Sequence, residues 1–496
     1  MNLSLMSLEV CVVALGLIVL LADLWLPAER KRALGCAAAA ALGLLLIINF
    51  SGCGSCSVQG TAFGGMFVQD SLSIFFKRFF LIAAILVLIM AVEFSDRIAA
   101  GISEYYSLII FALAGMLFAA SANDFALLFV SLELITITFY ILTSFQRARL
   151  ISLEAGVKYL IIGALSSAFM VFGIALVSGV TGKMNFTELS EVAAQFAANK
   201  IFLIGILFVL VGLGFKISTV PFQIWTPDVY QGAPTPTTAF LAIGSKAAGF
   251  VLLLRFLFSG IPAITAHWTN LLIIISGITI LYGNLCALPQ RNIKRLLGYS
   301  SISHAGYLLL GIAALNLSGK SALLYYLGGY LFTVLAAFFV IGLVLRHLET
   351  DDIAGLAGLS QRSPLLAATM TLSMVSLAGI PPLVGFFGKF LLLKAVIEQG
   401  SANHAYYCLA FTALAGVVMS LYYYFNVIRA VYWSPGASDM SPIRISIPVR
   451  VALYVCIIGM FYLGLVPGPL MRMTRRAADV LQPAATDVVS TAAVAD

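Results

Sequence analysis

Apolar residues run along the chain in long blocks, and charge, glycine and proline collect in the short stretches between them. Fourteen blocks approach the length of about 20 residues that a helix needs to cross a bilayer. They fall at 5–26, 33–50, 71–93, 105–122, 124–143, 153–180, 201–230, 235–259, 268–288, 298–316, 321–346, 364–397, 404–429 and 449–469. The pattern predicts an all-α polytopic membrane protein of about 14 transmembrane helices. No connection is long enough for a separate soluble domain. A polar, Ala-rich tail from Met471 to Asp496 reads as poorly ordered.

Two blocks are too long for one span and contain proline. Block 201–230 holds Pro221 and Pro227, and block 364–397 holds Gly379, Pro381 and Pro382. An interior proline removes a backbone hydrogen bond and clashes with the preceding turn. Broken backbone survives inside a membrane only where protein or a wet cavity satisfies it. Spans 7 and 12 are therefore predicted to be discontinuous. Interrupted spans at matched positions point to a transport site. Their separation of five spans suggests two five-helix repeats, spans 4–8 and 9–13, and an odd helix count inverts the second relative to the first. The predicted organisation is an N-terminal three-helix segment (1–104), a first repeat (105–259), an inverted second repeat (268–430), a final transmembrane helix (431–469) and the polar tail (470–496).

Composition narrows the class. Of 496 residues, 61% are hydrophobic and 10% charged, with a mean hydropathy of +1.04. A soluble domain carries about 25% charged residues, so a soluble enzyme, a disordered chain and a nucleic-acid binder are excluded. The net charge of +7 instead fits basic loops facing an anionic leaflet of membrane lipid. Lys and Arg concentrate in the odd-numbered loops, as at Arg30, Lys31, Arg32, Arg147 and Arg149, thirteen against six in the even-numbered loops and tails. The positive-inside rule then places the odd loops in the cytoplasm and both termini on the outer side. The first apolar run lacks a basic leader and is long enough to span, so it reads as a transmembrane helix. Among seven cysteines only Cys53 and Cys56, in SGCGSC, lie in a polar loop. On the outer, oxidising side they are a candidate disulfide. A lone CxxC lacks the further ligands of a zinc site, so no metal is predicted.

Ionisable residues inside the apolar spans carry the chemical signal. Glu133 lies mid-span five, Lys158 early in span six, and Lys216 five residues before Pro221. Lys246 lies mid-span eight, His304 in span ten, and Lys389 seven residues after Pro382. Arg255 and Lys394 sit nearer span ends and are read as snorkelling or pairing locally. One charge at the bilayer centre costs about 2.5–3.5 kcal/mol, so four lysines and a glutamate cost on the order of 12–18 kcal/mol. That rivals the stability of a whole domain. The bland readings are internal ion pairs that fix packing, a snorkelling Lys158, and a His304 satisfied in the core.

Proton relay fits these residues. An ammonium group loses stability in an apolar site, so a buried lysine can gain and lose a proton near neutral pH, while a nearby carboxylate holds the proton on. A movable Glu133–Lys216 contact would act as the switch, Lys246 as the carrier and Lys389 as the exit. Ser218, Thr219, Tyr299, Ser300, Ser301, Ser303 and Tyr307 are candidate hydroxyl linings of the route. Moving one proton against 100 mV requires about 2.3 kcal/mol. Nothing in the chain supplies it: there is no phosphate loop, no dinucleotide fingerprint and no cysteine cluster motif. No cofactor site is predicted. The chain reads as one part of a larger machine or as a gradient-driven exchanger.

The stretch KISTVPFQIWTPDVYQGAPTPTTAFLAIGSKAAGF (216–250) resembles the antiporter-like subunits of respiratory complex I, and within them the subunit N branch that is the counterpart of mitochondrial subunit 2. NIKRLLGYSSISHAGY (292–307), SLAGIPPLVGFFGKF (376–390) and LYYYFNVIRAVY (421–432) support the match. The resemblance implies fourteen helices, inverted repeats, and a proton channel in the bacterial plasma (inner) membrane. It carries the family's glutamate to Glu133 and its lysines to Lys158, Lys216, Lys246 and Lys389. It implies subunits K and M as neighbours, with NADH, FMN, iron–sulfur clusters and quinone handled by other subunits. The family often has histidine where this chain has Gln223, and glutamine cannot titrate. Lys216 precedes its break whereas Lys389 follows its own, so the two half-channels are not equivalent. A multisubunit cation/proton antiporter, a membrane-bound hydrogenase subunit, a stand-alone solute transporter and a structural scaffold remain as competing readings.

Overall fold

Several helices start where a short polar side chain accepts the first free backbone N–H groups. Asp70 accepts from Ser73, which answers with its hydroxyl in a capping box. Asp124, Asn199 and Asn292 play the accepting part at three other helix starts. In a computed structural model the chain is described over residues 2–27, 30–51, 58–98, 101–344, 351–434 and 441–482. Cys53 and Cys56 lie outside the described residues.

The helices in chain order are α1 (Ser7–Ala22), α2 (Lys31–Ser51), α3 (Ser71–Glu93), α4 (Ile102–Ala120), α5 (Phe125–Thr143), α6 (Leu150–Thr181), α7 (Phe186–Val192), α8 (Lys200–Ile217), α9 (Trp225–Gly232), α10 (Thr235–Phe240) and α11 (Lys246–Arg255). They continue with α12 (Thr269–Ala287), α13 (Ile293–Ala313), α14 (Leu317–Val344), α15 (Leu359–Arg362), α16 (Pro364–Ala378), α17 (Val384–Ile397), α18 (Ala405–Trp433), α19 (Ile447–Leu465) and α20 (Gly468–Asp479). One small hairpin, β1 (Gly60–Ala62) with β2 (Phe67–Gln69), pairs antiparallel with Thr61 opposite Val68. Thirteen stretches of the described chain are long and apolar enough to cross a membrane. The predicted twelfth span is split into α16 and α17, and the seventh into α8 and α9. The all-α polytopic class and both discontinuities therefore stand.

The α10–α11 span and α13 are the most enclosed, with α14 close behind, while α1, α2 and α19 lie at the periphery. The α10–α11 span is not uniform: π-helical turns at Leu241–Ser245 and Phe256–Gly260 flank α11. Such turns frequently mark functional sites, and the first delivers directly into Lys246.

The tail departs from expectation. Its first half is helix α20, packed on α14 and α3. Thr474, Ala477, Ala478 and Leu481 are buried there, while Arg472, Arg475 and Arg476 point outward. A polar overall composition concealed an amphipathic helix whose core-facing side is made of small residues.

Arg255 neither snorkels nor pairs locally. Its guanidinium meets the Asp70 carboxylate through two bonds of 3.0 and 2.9 Å, and its Nε donates to the Ala120 carbonyl at 2.9 Å. Burial alone would push the Asp70 carboxyl up; Arg255 and Ser73 reverse this and hold it below the usual carboxylate range. Breaking a buried pair by removing one partner costs on the order of 3–5 kcal/mol. Asp70→Ala is thus expected to lower the thermal unfolding temperature in detergent at neutral pH. The difference from wild type should shrink as pH falls through the carboxylate range, because a depressed carboxyl stabilises only while ionised.

Candidate functional site

The first break is built from α8 and α9. Ser218 ends α8 in the left-handed region, at φ 62. The freed backbone finds new partners: the Trp225 indole donates to the Phe215 carbonyl at 3.1 Å, and Val220 N–H donates to Thr279 Oγ1 at 3.1 Å. Lys216 lies in the last turn of α8, fully buried, and its Nζ donates to Thr136 Oγ1 at 2.7 Å. Glu133, three residues earlier on α5, accepts from Ser167 Oγ at 2.5 Å. Residues three apart share a helix face, about 4.5 Å along the axis. No salt bridge joins Glu133 and Lys216 among the described residues; each is held by a hydroxyl. Glu133 is half-buried and lines a cleft of about 560 Å³ between α5 and α6, with Phe129, Ser167 and Phe172. It stands on the flank of the bundle rather than on its axis.

Lys158 is half-exposed. Its Nζ lies 2.6 Å from Glu154 and 2.8 Å from Asp228, and Asp228 in turn lies 2.5 Å from Arg295. Asp228 thereby ties α9 to both α6 and α13. Sequence reasoning passed over it, although it sits inside the WTPDVYQG string at the second half of the broken span.

The remaining residues converge on α13. Lys246 Nζ donates to the Ser301 carbonyl at 2.9 Å and to Ser301 Oγ at 2.6 Å, and that hydroxyl lies 3.0 Å from Tyr230 OH. Ser300 Oγ is 2.5 Å from Tyr424 OH. His304 has Tyr326 OH 2.5 Å from Nδ1 and Tyr424 OH 3.0 Å from Nε2. A neutral imidazole donates at one nitrogen and accepts at the other, so this row of hydroxyls can reverse direction when the tautomer changes. Lys389 Nζ donates to the carbonyls of Leu377 and Ala378 at 2.8 and 3.2 Å and lies 4.9 Å over the Tyr307 ring. It thus caps the end of α16, where Gly379 turns left-handed at φ 86. Ser300, Ser301, His304 and Tyr307 share one face of α13, which links Lys246 to the neighbourhood of Lys389.

Between Lys216 and Lys246 lies Gly249, where an added Cβ would stand 3.3 Å from Lys216 Cγ and 2.7 Å from Ile217 Cγ2. The tyrosines at 230, 326 and 424 and the hydroxyls of Thr136 and Ser167 were not anticipated; an aromatic or a hydroxyl in a membrane span gives no individual signal. Of the anticipated linings, Ser303 bonds Asn284, Thr219 bonds the Gly214 carbonyl and Tyr307 bonds the Ala413 carbonyl. A further buried pair was missed: Lys77 Nζ lies 2.7 Å from Glu9 Oε1, between α3 and α1.

The family described as NADH:quinone oxidoreductase/Mrp antiporter, TM, matches residues 122–419. NADH-quinone oxidoreductase subunit N of Heliobacterium modesticaldum is 41% identical over 97% of this chain and 100% of its own length. The subunit N of Desulforamulus reducens is 40% identical over 96% and 98%. A chain in respiratory complex I from Thermus thermophilus with bound aureothin is 31% identical, with a TM-score of 0.78 over 94% of this chain and 98% of its own. A chain of the Mrp complex from a Dietzia species shares the fold at 20% identity, with a TM-score of 0.85 over 97% and 98%. Fold and site together define an antiporter-like membrane subunit. Within that class, the chain belongs to the NADH-quinone oxidoreductase subunit N family.

Proposed function

We propose that this chain is the antiporter-like membrane-arm subunit of a proton-pumping NADH:quinone oxidoreductase and that it moves protons through Glu133, Lys216, Lys246, His304 and Lys389. The observation that carries this reading is the α13 face, whose serines, histidine and tyrosine lie between two buried ammonium groups. Lys216 is the switch. Moving its Nζ from Thr136 towards Glu133, one turn away on α5, would trade a neutral partner for a carboxylate and hold the proton; the reverse move would release it. The buried hydroxyls of Ser218 and Thr226 have no partner among the described residues. Buried polar atoms are normally satisfied by protein or by water, which supports a hydrated stretch beside the break. Lys158, bound by Asp228 and Glu154, holds the second half of that break in place and belongs to the cytoplasmic mouth.

The breaks at matched spans, each entered through a left-handed residue, support two inverted repeats at 105–259 and 268–430, after an N-terminal segment at 1–104 and before a final span at 431–469. FMN, the iron–sulfur clusters and the quinone belong to other subunits, with K and M as membrane neighbours. The α5–α6 flank, apolar around Glu133 with Ile137 and Phe172 exposed, suits such a neighbour. Both termini face the periplasm of a bacterial plasma membrane. The Mrp likeness stands on fold alone, whereas the subunit N relatives match over nearly the whole chain, which favours the oxidoreductase. Glu133→Ala is expected to assemble normally and to lower NADH-driven proton uptake into inverted vesicles severalfold. Uptake at wild-type amplitude would reject the reading.

A further inference from the structure

A second group of cations lies away from the buried lysines, at the end of the bundle where α20 packs. A cavity of about 450 Å³ opens there, lined by Lys394 of α17, Arg472 and Arg475 of α20, the hydroxyl residues Ser318 and Ser321 of α14, and an apolar wall that includes Leu391. The cations stand on a fixed frame. Ser321 Oγ is 3.0 Å from Thr474 Oγ1, and Lys320 Nζ donates to the Leu481 carbonyl at 3.0 Å, so α20 is bonded to α14 at its middle and beyond its end. Arg472 and Arg475 form no ion pair among the described residues. Among the described residues Lys394 has only a long contact, 3.9 Å, with Glu398, and both groups are exposed.

Three cations converging on a cavity need an anion. Guanidinium forks match phosphate oxygens in geometry as well as in charge. The apolar wall adds a second requirement, because a free ion gains nothing from Leu391 whereas an acyl chain does. The cavity also lies at the ends of apolar helices, beside the first turns of α14 and the last turns of α17, where a headgroup would meet its acyl chain. We propose that it binds the phosphate headgroup of an anionic phospholipid, with the adjoining acyl chain along the α14–α17 surface. The lipid would clamp α20 to α17, the half-helix that carries Lys389 five residues before Lys394. The binding itself is independent of the proton route.

The test uses the intact complex in phosphatidylcholine vesicles containing a photoactivatable phosphatidylglycerol, with crosslinks mapped by mass spectrometry to this chain. Labelling of α17 and α20 is expected in the wild type. It should fall at least about tenfold, a loss of about 1.4 kcal/mol in binding, in the double variant Arg472→Gln/Arg475→Gln. Arg476→Gln removes one like charge from an exposed site on the same helix but off the cavity and should leave labelling unchanged. Excess inorganic phosphate should not compete. The proposal is overturned if the wild type is not labelled, if the double variant labels like the wild type, if Arg476→Gln loses labelling equally, or if inorganic phosphate abolishes it.

Discussion

Replacing Lys216 with alanine is expected to cut NADH-driven proton uptake by at least about tenfold, a lower bound on the roughly 10²–10⁴-fold that a positioned proton-transfer group contributes, while the subunit still assembles. Assembly should survive because the lost partner is a neutral hydroxyl, Thr136 Oγ1. A lone cation in a membrane span costs about 2.5–3.5 kcal/mol, so its removal relieves a burden rather than exposing an unpaired charge. Transport should not survive, since Lys216 stands buried at the first break, bonded to Thr136 with the Glu133 carboxylate one turn away on α5. Uptake in inverted vesicles, normalised to the subunit detected in the membrane, checks both halves. Loss of uptake in proportion to lost subunit would reduce Lys216 to a packing residue.

Gly385→Ala is expected to act in the opposite way, by removing the subunit from the membrane. A Cβ at Gly385 would lie 1.8 Å from the Ser376 carbonyl oxygen and 2.7 Å from its carbonyl carbon. Those are backbone atoms, so α16 and α17 must separate. The bonds from Lys389 to the α16 carbonyls and from Gly385 N–H to Ser376 Oγ are lost with that movement. Overpacking usually costs about 1–3 kcal/mol and more where backbone collides. The amount of assembled subunit should fall several-fold. Gly179→Ala, at a helical glycine with nothing within 4 Å of the added atom, should assemble as wild type. Equal amounts of both variants would mean that the break tolerates separation.

The span count and both breaks were legible because bilayer thickness imposes a length and proline imposes an interruption. The buried lysines Lys216, Lys246 and Lys389, with the half-exposed Lys158 and Glu133, were legible because charge in an apolar run is conspicuous. What surrounds them was not. Tyr326 and Tyr424 read as aromatic bulk until the fold set their hydroxyls on His304. Asp228 lies near the end of block 201–230, beyond both prolines, where an acid reads as part of the span's polar end, and only the return of the chain places it between Lys158 and Arg295. Lys294 and Lys320 counted as loop residues, yet both are buried, bonded to Asp351 and to the Leu481 carbonyl. Arg255 and Asp70 are separated by 185 residues, a pairing no local pattern carries. In each case the identity of the residue was visible and its partner was a property of the fold.

The sharpest discrimination falls on Lys389, because its contacts admit a purely structural role. Its ammonium sits where any fixed positive charge would stabilise the end of α16. Arginine keeps that charge and can bond the same carbonyls, but it does not release a proton in proteins. NADH-driven proton uptake should therefore be measured for Lys389→Arg beside Lys389→Ala, each normalised to assembled subunit. Proton transfer through Lys389 predicts that the arginine variant assembles at least as well as the alanine variant and is equally defective in uptake. Uptake restored by arginine to the wild-type level would make Lys389 a helix cap and contradict the proton route.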